Sequence, residues 1–222
     1  MTAEHSRGIA LGLLSSTAGV TDGTAFLTLG GVFTSAMSGN TIVLGVALGE
    51  GRIYAALHAL AAFVGYASGA ALATLPLHSS TRGIERTVFI EGIFLTAFAV
   101  VWILVGGPAG PTEVYILIAL SAVAMGLQGA VGRALALPGV PTIVITSTLT
   151  AVIGTVSEHV LGRGRQPAAP ATPHQLVSLL AYLLGAVIAG GLVHRLLVLL
   201  PFVPVALILV LMIGFRPYLV RP

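Results

Sequence analysis

The sequence predicts an all-α membrane protein, with about six transmembrane helices plus two short broken or re-entrant helices in a three-plus-three inverted repeat. Three observations predict it. The 222 residues are 56% hydrophobic and 8% charged, with a mean hydropathy of +1.04. A soluble globule carries roughly 25% charged residues, and ten basic with seven acidic side chains cannot give this chain a polar skin. Six apolar segments reach the length of about 20 residues that a helix needs to span hydrocarbon. Finally, "LTLGGVFTSAMSGNTIVLG" (27–45) recurs in weaker form as "LALPGVPTIVITSTLTAVI" (135–153). A two-fold repeat in an apolar chain is a mark of secondary transporters, whose sites lie between the repeats.

In chain order the long segments are 8–29, 53–75, 87–105, 114–135, 175–199 and 202–220. Two shorter apolar pieces, 34–49 and 142–161, each follow the first helix of a repeat. The first helix must break at "LGGVF" and its counterpart at "LPGVPT", because paired glycine and proline interrupt the hydrogen-bond ladder. Irregular backbone at membrane depth is tolerated only when buried in protein or lining a cavity. Small residues continue the repeat, "FVGYASGAAL" (63–72) resembling "YLLGAVIAGGL" (182–192), on faces that let helix backbones approach. The first repeat is 1–110 and the second 111–222, with a proline-rich loop at about 162–174, all in one membrane domain.

The arginines choose the topology. If the short pieces re-enter, Arg7, Arg82, Arg86, Arg163, Arg165, Arg216 and Arg221 are cytoplasmic and Arg52 alone is outside, seven against one. If they cross, Arg82, Arg86 and Arg133 move outside. The excess of cytoplasmic arginine favours six crossings, with both termini cytoplasmic. The N-terminal "MTAEHSRG" lacks a cleavage site after it, so the first apolar segment is read as a retained anchor. The modest net charge of +3, spread along the chain, gives no footprint for nucleic acid. With no cysteine there is no disulfide, thiolate metal site or cysteine nucleophile.

Two motifs carry a family resemblance. The first is Ala18-Gly19-Val20-Thr21-Asp22-Gly23, Phe26, Leu29-Gly30-Gly31-Val32-Phe33 and Met37-Ser38-Gly39-Asn40. The second is Gly126-Leu127-Gln128, Arg133, Gly139-Val140, Thr142 and Thr146-Ser147-Thr148-Leu149-Thr150. Together they resemble the YoaK-like family of bacterial inner-membrane proteins, a domain-of-unknown-function family. Gly129 stands where that pattern has asparagine, and Ser147 where it has glycine. The resemblance implies a multi-pass membrane protein and leaves the substrate open.

Asp22, the sole aspartate, lies well inside the first helix. A charge at that depth costs roughly 2.5–3.5 kcal/mol on insertion scales, so it is expected to face the bundle interior with a partner. Arg133, near the break of the second repeat, is the expected partner. The triplets holding Ser38 and Asn40, and Thr146 and Thr148, open the short helices, where free N–H groups and a positive dipole end suit an anion or simple caps. Gln128 offers an amide to the same region. These seven residues are the candidate substrate-binding set. Glu91 is the candidate proton-coupling carboxylate, or else an interfacial partner of Arg82 or Arg86. Glu158-His159, His58 and His194 lack ligand or catalytic spacing, so neither metal, cofactor nor catalytic residue is expected. The expected function is a secondary transporter or facilitator of a small polar or anionic solute at the membrane midplane. An intramembrane enzyme, a lipid-binding scaffold or a channel in the same cleft are the alternatives. Expected partners are the solute and the bilayer, with self-association left open.

Overall fold

The computed structural model describes residues 3–79, 82–107, 110–134, 143–160 and 173–215. Among them the chain forms helices α1 (Ala3–Thr28), α2 (Met37–Gly49), α3 (Ile53–Leu72), α4 (Thr74–Ser79), α5 (Gly83–Leu104), α6 (Pro111–Ala134), α7 (Ile143–Val160), α8 (Pro173–Val193) and α9 (Phe202–Gly214). By length and composition, α3 continued by α4, α5, α6 and α8 can each cross a membrane, while α2 and α9 are shorter apolar helices. The expected boundaries need three corrections. α5 starts at Gly83 rather than 87, because Glu85 and Arg86 form its first turn. α8 stops at Val193, so Arg195 lies in the turn that follows instead of inside a span. The segment 53–75 breaks after Leu72 into α3 and α4.

The helices exchange partners between the halves. α1 packs mainly on α8, and α3 mainly on α6; α5 lies on α6 and α9, and α9 also on α1. Glycines set the closest approaches. A Cβ at Gly19 would meet the carbonyl of Tyr182, and one at Gly185 the carbonyl of Ser16. On the other pair, a Cβ at Gly126 would meet the carbonyl of Tyr66, and one at Gly69 the carbonyl of Val123. Such contacts let backbones touch where lipid gives no hydrophobic drive to helix association.

The same contacts fix direction. Gly12 lies by Val177 and Gly23 by Ala189, so α1 and α8 run parallel. His58 lies against Tyr115 and Gly69 against Val123, so α3 and α6 also run parallel. Two apolar clusters order the remaining helices. One joins Ala10, Leu14 and Ala18 of α1 with Ile84 and Val88 of α5, Met125 and Val131 of α6, and Ile208 of α9. The other joins Ala25 and Leu29 with Phe98, Trp102, Leu117 and Ile118. Thus α5 runs parallel to α1, and α6 runs opposite to both. Gly92 against Ile208, with Met212 beside Phe89, sets α9 antiparallel to α5.

α1 is the most polar of the long helices, and its hydroxyls are satisfied locally. Thr17, Thr21, Thr24 and Thr28 each donate to the carbonyl four residues earlier, at 2.6–2.9 Å. Ser16 instead reaches across to the Ala181 carbonyl of α8 at 3.0 Å. Internal satisfaction of this kind is what lets threonine sit in a helix away from water. Large apolar side chains such as Leu104, Leu183, Leu184 and Ile213 lie on the outer surface, where lipid is the solvent.

The close approaches give a stability test. Gly69→Ala and Gly185→Ala each drive a methyl into a facing backbone and are expected to lose about 1–3 kcal/mol. Gly45→Ala, with nothing within 4 Å of the added carbon, is expected to be neutral or slightly stabilising. Thermal unfolding of the three variants in one detergent checks the difference.

Candidate functional site

The best-defined polar structure is where the chain leaves α1. Gly30 and Gly31 have φ of +87° and +76°, a region that other residues enter only with strain. Gly30 is doubly constrained, since a Cβ there would strike the His58 ring. That contact also sets the end of α1 beside the beginning of α3, at the same end of the bundle. From the glycines the chain folds back along α1 and begins α2 at Met37. Asn40, fully buried, fastens the fold-back: its Oδ1 accepts from Phe33 N at 2.8 Å and its Nδ2 donates to Phe33 O at 2.5 Å. Phe33 in turn stacks on Phe26 of α1, with centroids 5.2 Å apart.

Asp22 is the anchor of this arrangement. It is 2% exposed and accepts five hydrogen bonds. Its Oδ1 receives Thr34 N at 2.6 Å, Thr34 Oγ1 at 2.9 Å and Ser35 N at 2.7 Å. Its Oδ2 receives Ser35 Oγ at 2.6 Å and the Tyr182 hydroxyl at 2.7 Å. One carboxylate therefore ties α1, the loop ahead of α2, and α8. Hydrogen bonds to a charged group are the strong ones, and five of them supply what water would otherwise provide.

The expected Asp22–Arg133 ion pair is not formed. Asp22 is satisfied by neutral donors, and Arg133 is exposed near the end of α6 without an ion pair among the described residues. Asn40 and Asp22 are brought together through Phe33–Ser35. Ser38 is exposed, and α2 begins after Ala36 with no side-chain cap. Gln128 is 1% exposed; its Nε2 donates to the Leu14 carbonyl of α1 at 2.9 Å, while its Oε1 has no partner. Glu91 is wholly buried, with neither carboxyl oxygen hydrogen-bonded, so pairing with Arg82 or Arg86 is not formed. The side chains of Thr146, Thr148, Glu158 and His159 lie outside the described residues. Sequence reasoning missed Thr34, Ser35 and Tyr182; the hydroxyl pair directly after "LGGVF" was the available signal for the first two.

The second half repeats the frame without the acid. Ser16, Gly19 and Asp22 meet α8 as Val123, Gly126 and Gly129 meet α3, and Tyr182 with Gly185 occupies the place of Tyr66 with Gly69. The Tyr182 hydroxyl meets Asp22, whereas the Tyr66 hydroxyl lies directly over Gly129. Tyr66 is also within electrostatic reach of both Arg133, one turn beyond Gly129, and Asp22.

Comparison with known proteins agrees with the two motifs. The family described as "Protein of unknown function (DUF1275)" matches residues 10–214, and the chain belongs to it. It is 29% identical over 192 residues to the UPF0700 transmembrane protein YoaK of Bacillus subtilis (strain 168), covering 86% of this chain and 85% of that one. No solved structure matches. The YoaK-like resemblance is thereby borne out, and with the apolar helices it makes the chain a multi-pass membrane protein.

The clamp predicts an unequal set of losses. Asp22→Asn is expected to cost about 2–3 kcal/mol, and Tyr182→Phe about 1.5 kcal/mol, since bonds to an ionised group are worth that much. Arg133→Gln should change stability by less than about 0.5 kcal/mol, as an exposed side chain does. The double variant Asp22→Asn with Arg133→Gln should unfold like Asp22→Asn alone. Rescue by the second change in thermal unfolding would restore the ion pair rejected above.

Proposed function

We propose that this DUF1275 protein is a secondary transporter or facilitator for a small anionic solute, bound at the membrane midplane between two inverted halves. The observation that carries this reading is the fold-back of 29–36 onto Asp22: a helix broken inside the bundle, with the loop ahead of α2 held on the same carboxylate that the other half's Tyr182 meets. Transporters build their sites from such interrupted helices at a repeat interface.

Three further features support it. The end of α1 and the start of α3 share one end of the bundle, which fits a re-entrant α2 and six crossings by α1, α3, α5, α6, α8 and α9. With three crossings per half, the second half starts on the opposite face from the first, as an inverted repeat requires. The partner exchange of α1 with α8 and α3 with α6 fits a two-fold axis in the membrane plane. Both termini are then cytoplasmic in a bacterial inner membrane; Arg195 joins Arg52 on the outside, leaving seven arginines inside against two.

The sign of the solute follows from the clamp. Asp22 is held by five neutral donors and makes no ion pair with Arg133. The second half offers Tyr66 and Arg133 with Gly129 where the first half has its carboxylate. Guanidinium suits carboxylate or phosphate oxygens, so the missing acid is brought by the solute.

Two measurements test the reading. Glu50→Cys is expected to react with an impermeant thiol reagent from outside the cell, and His78→Cys, at the far end of the α3–α4 segment, only after permeabilisation; both sites are exposed. The reverse pattern removes the six-crossing topology. In proteoliposome flux assays over a panel of small carboxylates, phosphate esters and cations, an anion should be transported. Arg133→Gln should slow that flux roughly tenfold, the equivalent of about 1.4 kcal/mol, with unchanged thermal stability, and Arg133→Lys less. Flux of cations alone, indifferent to Arg133→Gln, overturns the assignment.

A further inference from the structure

Glu91 is the most anomalous side chain in the described core. It is 0% exposed, and neither Oε1 nor Oε2 has a hydrogen-bond partner. Asp22 shows what this chain does with a carboxylate that must stay ionised: it surrounds it with donors. Nothing of that kind surrounds Glu91. Val88 and Leu95, one turn to either side of it on α5, belong to an apolar cluster with Leu14, Ala18, Ala124, Met125, Val131 and Ile208. The charged groups nearby are directed elsewhere. Of the helices against α5, α9 carries no titratable side chain, and α4 carries exposed His78. α6 has Glu113 and Tyr115 at one end and exposed Arg133 at the other. Asp22 of α1 is held by its own donors, and Arg86 on α5 itself lies exposed in a surface groove with Glu85, Phe89 and Met212.

A second unpaired group stands at the same level. The cluster residues Ala124, Met125 and Val131 lie one turn to either side of Gln128, whose Oε1 is buried and unpartnered. Gln128 Nε2 is already committed to the Leu14 carbonyl, so the amide oxygen is the part of the side chain left without a partner. A neutral carboxyl group is a donor and an amide oxygen an acceptor, so the two unpaired groups are complementary only if Glu91 carries a proton.

We infer that Glu91, together with Gln128 Oε1, forms a proton-binding site in the layer between α5, α6 and α1. An ionised carboxylate in this apolar layer would be uncompensated, and such groups neutralise themselves instead. The proton leaves to water only when the helices part enough to admit it, and returns when they close. Within the transport reading, on which this part alone rests, Glu91 carries the coupled proton. The site itself stands without that reading.

The test is infrared difference spectroscopy of the full chain in lipid nanodiscs at neutral pH, with no solute added. The carbonyl stretch of a protonated carboxyl group, shifted in D₂O, is expected in the wild type. It should be retained in Asp22→Asn, lost in Glu91→Gln, and moved but kept in Glu91→Asp. Gln128→Leu, which removes the acceptor, should shift its frequency. Absence of the band from the wild type, or its survival unchanged in Glu91→Gln, overturns the site. Because no solute enters, this outcome is independent of the flux assay that tests transport.

Discussion

The carboxylate of Asp22 is the constraint on which the first half depends. A single ionised side chain inside the bundle is tolerable only if every lone pair is used, and the five donors come from Thr34, Ser35 and Tyr182. Satisfying it forces the chain to return along α1 after Thr28. That return explains the two left-handed glycines, the buried asparagine that grips Phe33, and the late start of α2. Tyr182 extends the same constraint to the other half of the molecule. Charge, turn and helix docking are therefore one problem with one solution.

Around that clamp the helices are held by backbone proximity more than by bulky cores. At Gly19, Gly69, Gly126 and Gly185 the facing atom is a carbonyl of the partner helix, so even a methyl group is excluded. The two pairs made this way, α1 with α8 and α3 with α6, both run parallel and both join one half to the other. Each half is thus incomplete alone. Side-chain bonds reinforce these contacts: Ser16 and Asp22 of α1 are tied to α8, and Gln128 of α6 is tied to α1.

Much of this was legible from residues whose cost is local. "LGGVF" announces a break because paired glycine cannot continue a helix in either direction of argument, propensity or geometry. Asp22 announces a polar centre because a lone acid in an apolar helix must be compensated. Its partners were not legible: Thr34 and Ser35 are ordinary loop residues in sequence, and Tyr182 lies 160 positions away. Arginine was the obvious complement by charge, but packing supplied neutral donors first. For Glu91 only the interfacial alternative fails: the helix begins at Gly83 rather than 87, which carries Glu91 into the core and away from Arg82 and Arg86.

The two buried acids among the described residues thereby sit in opposite surroundings. Asp22 has five donors; Glu91 has apolar neighbours and no donor among the described residues. The first serves as a strut. The second is the group that the proposed proton site would use. Gln128 links the two environments, since the amide that leaves its oxygen free beside the Glu91 layer bonds through its nitrogen to Leu14, two turns before Asp22 on the same helix. A displacement of α6 relative to α1 would break that bond and expose the carboxyl layer together.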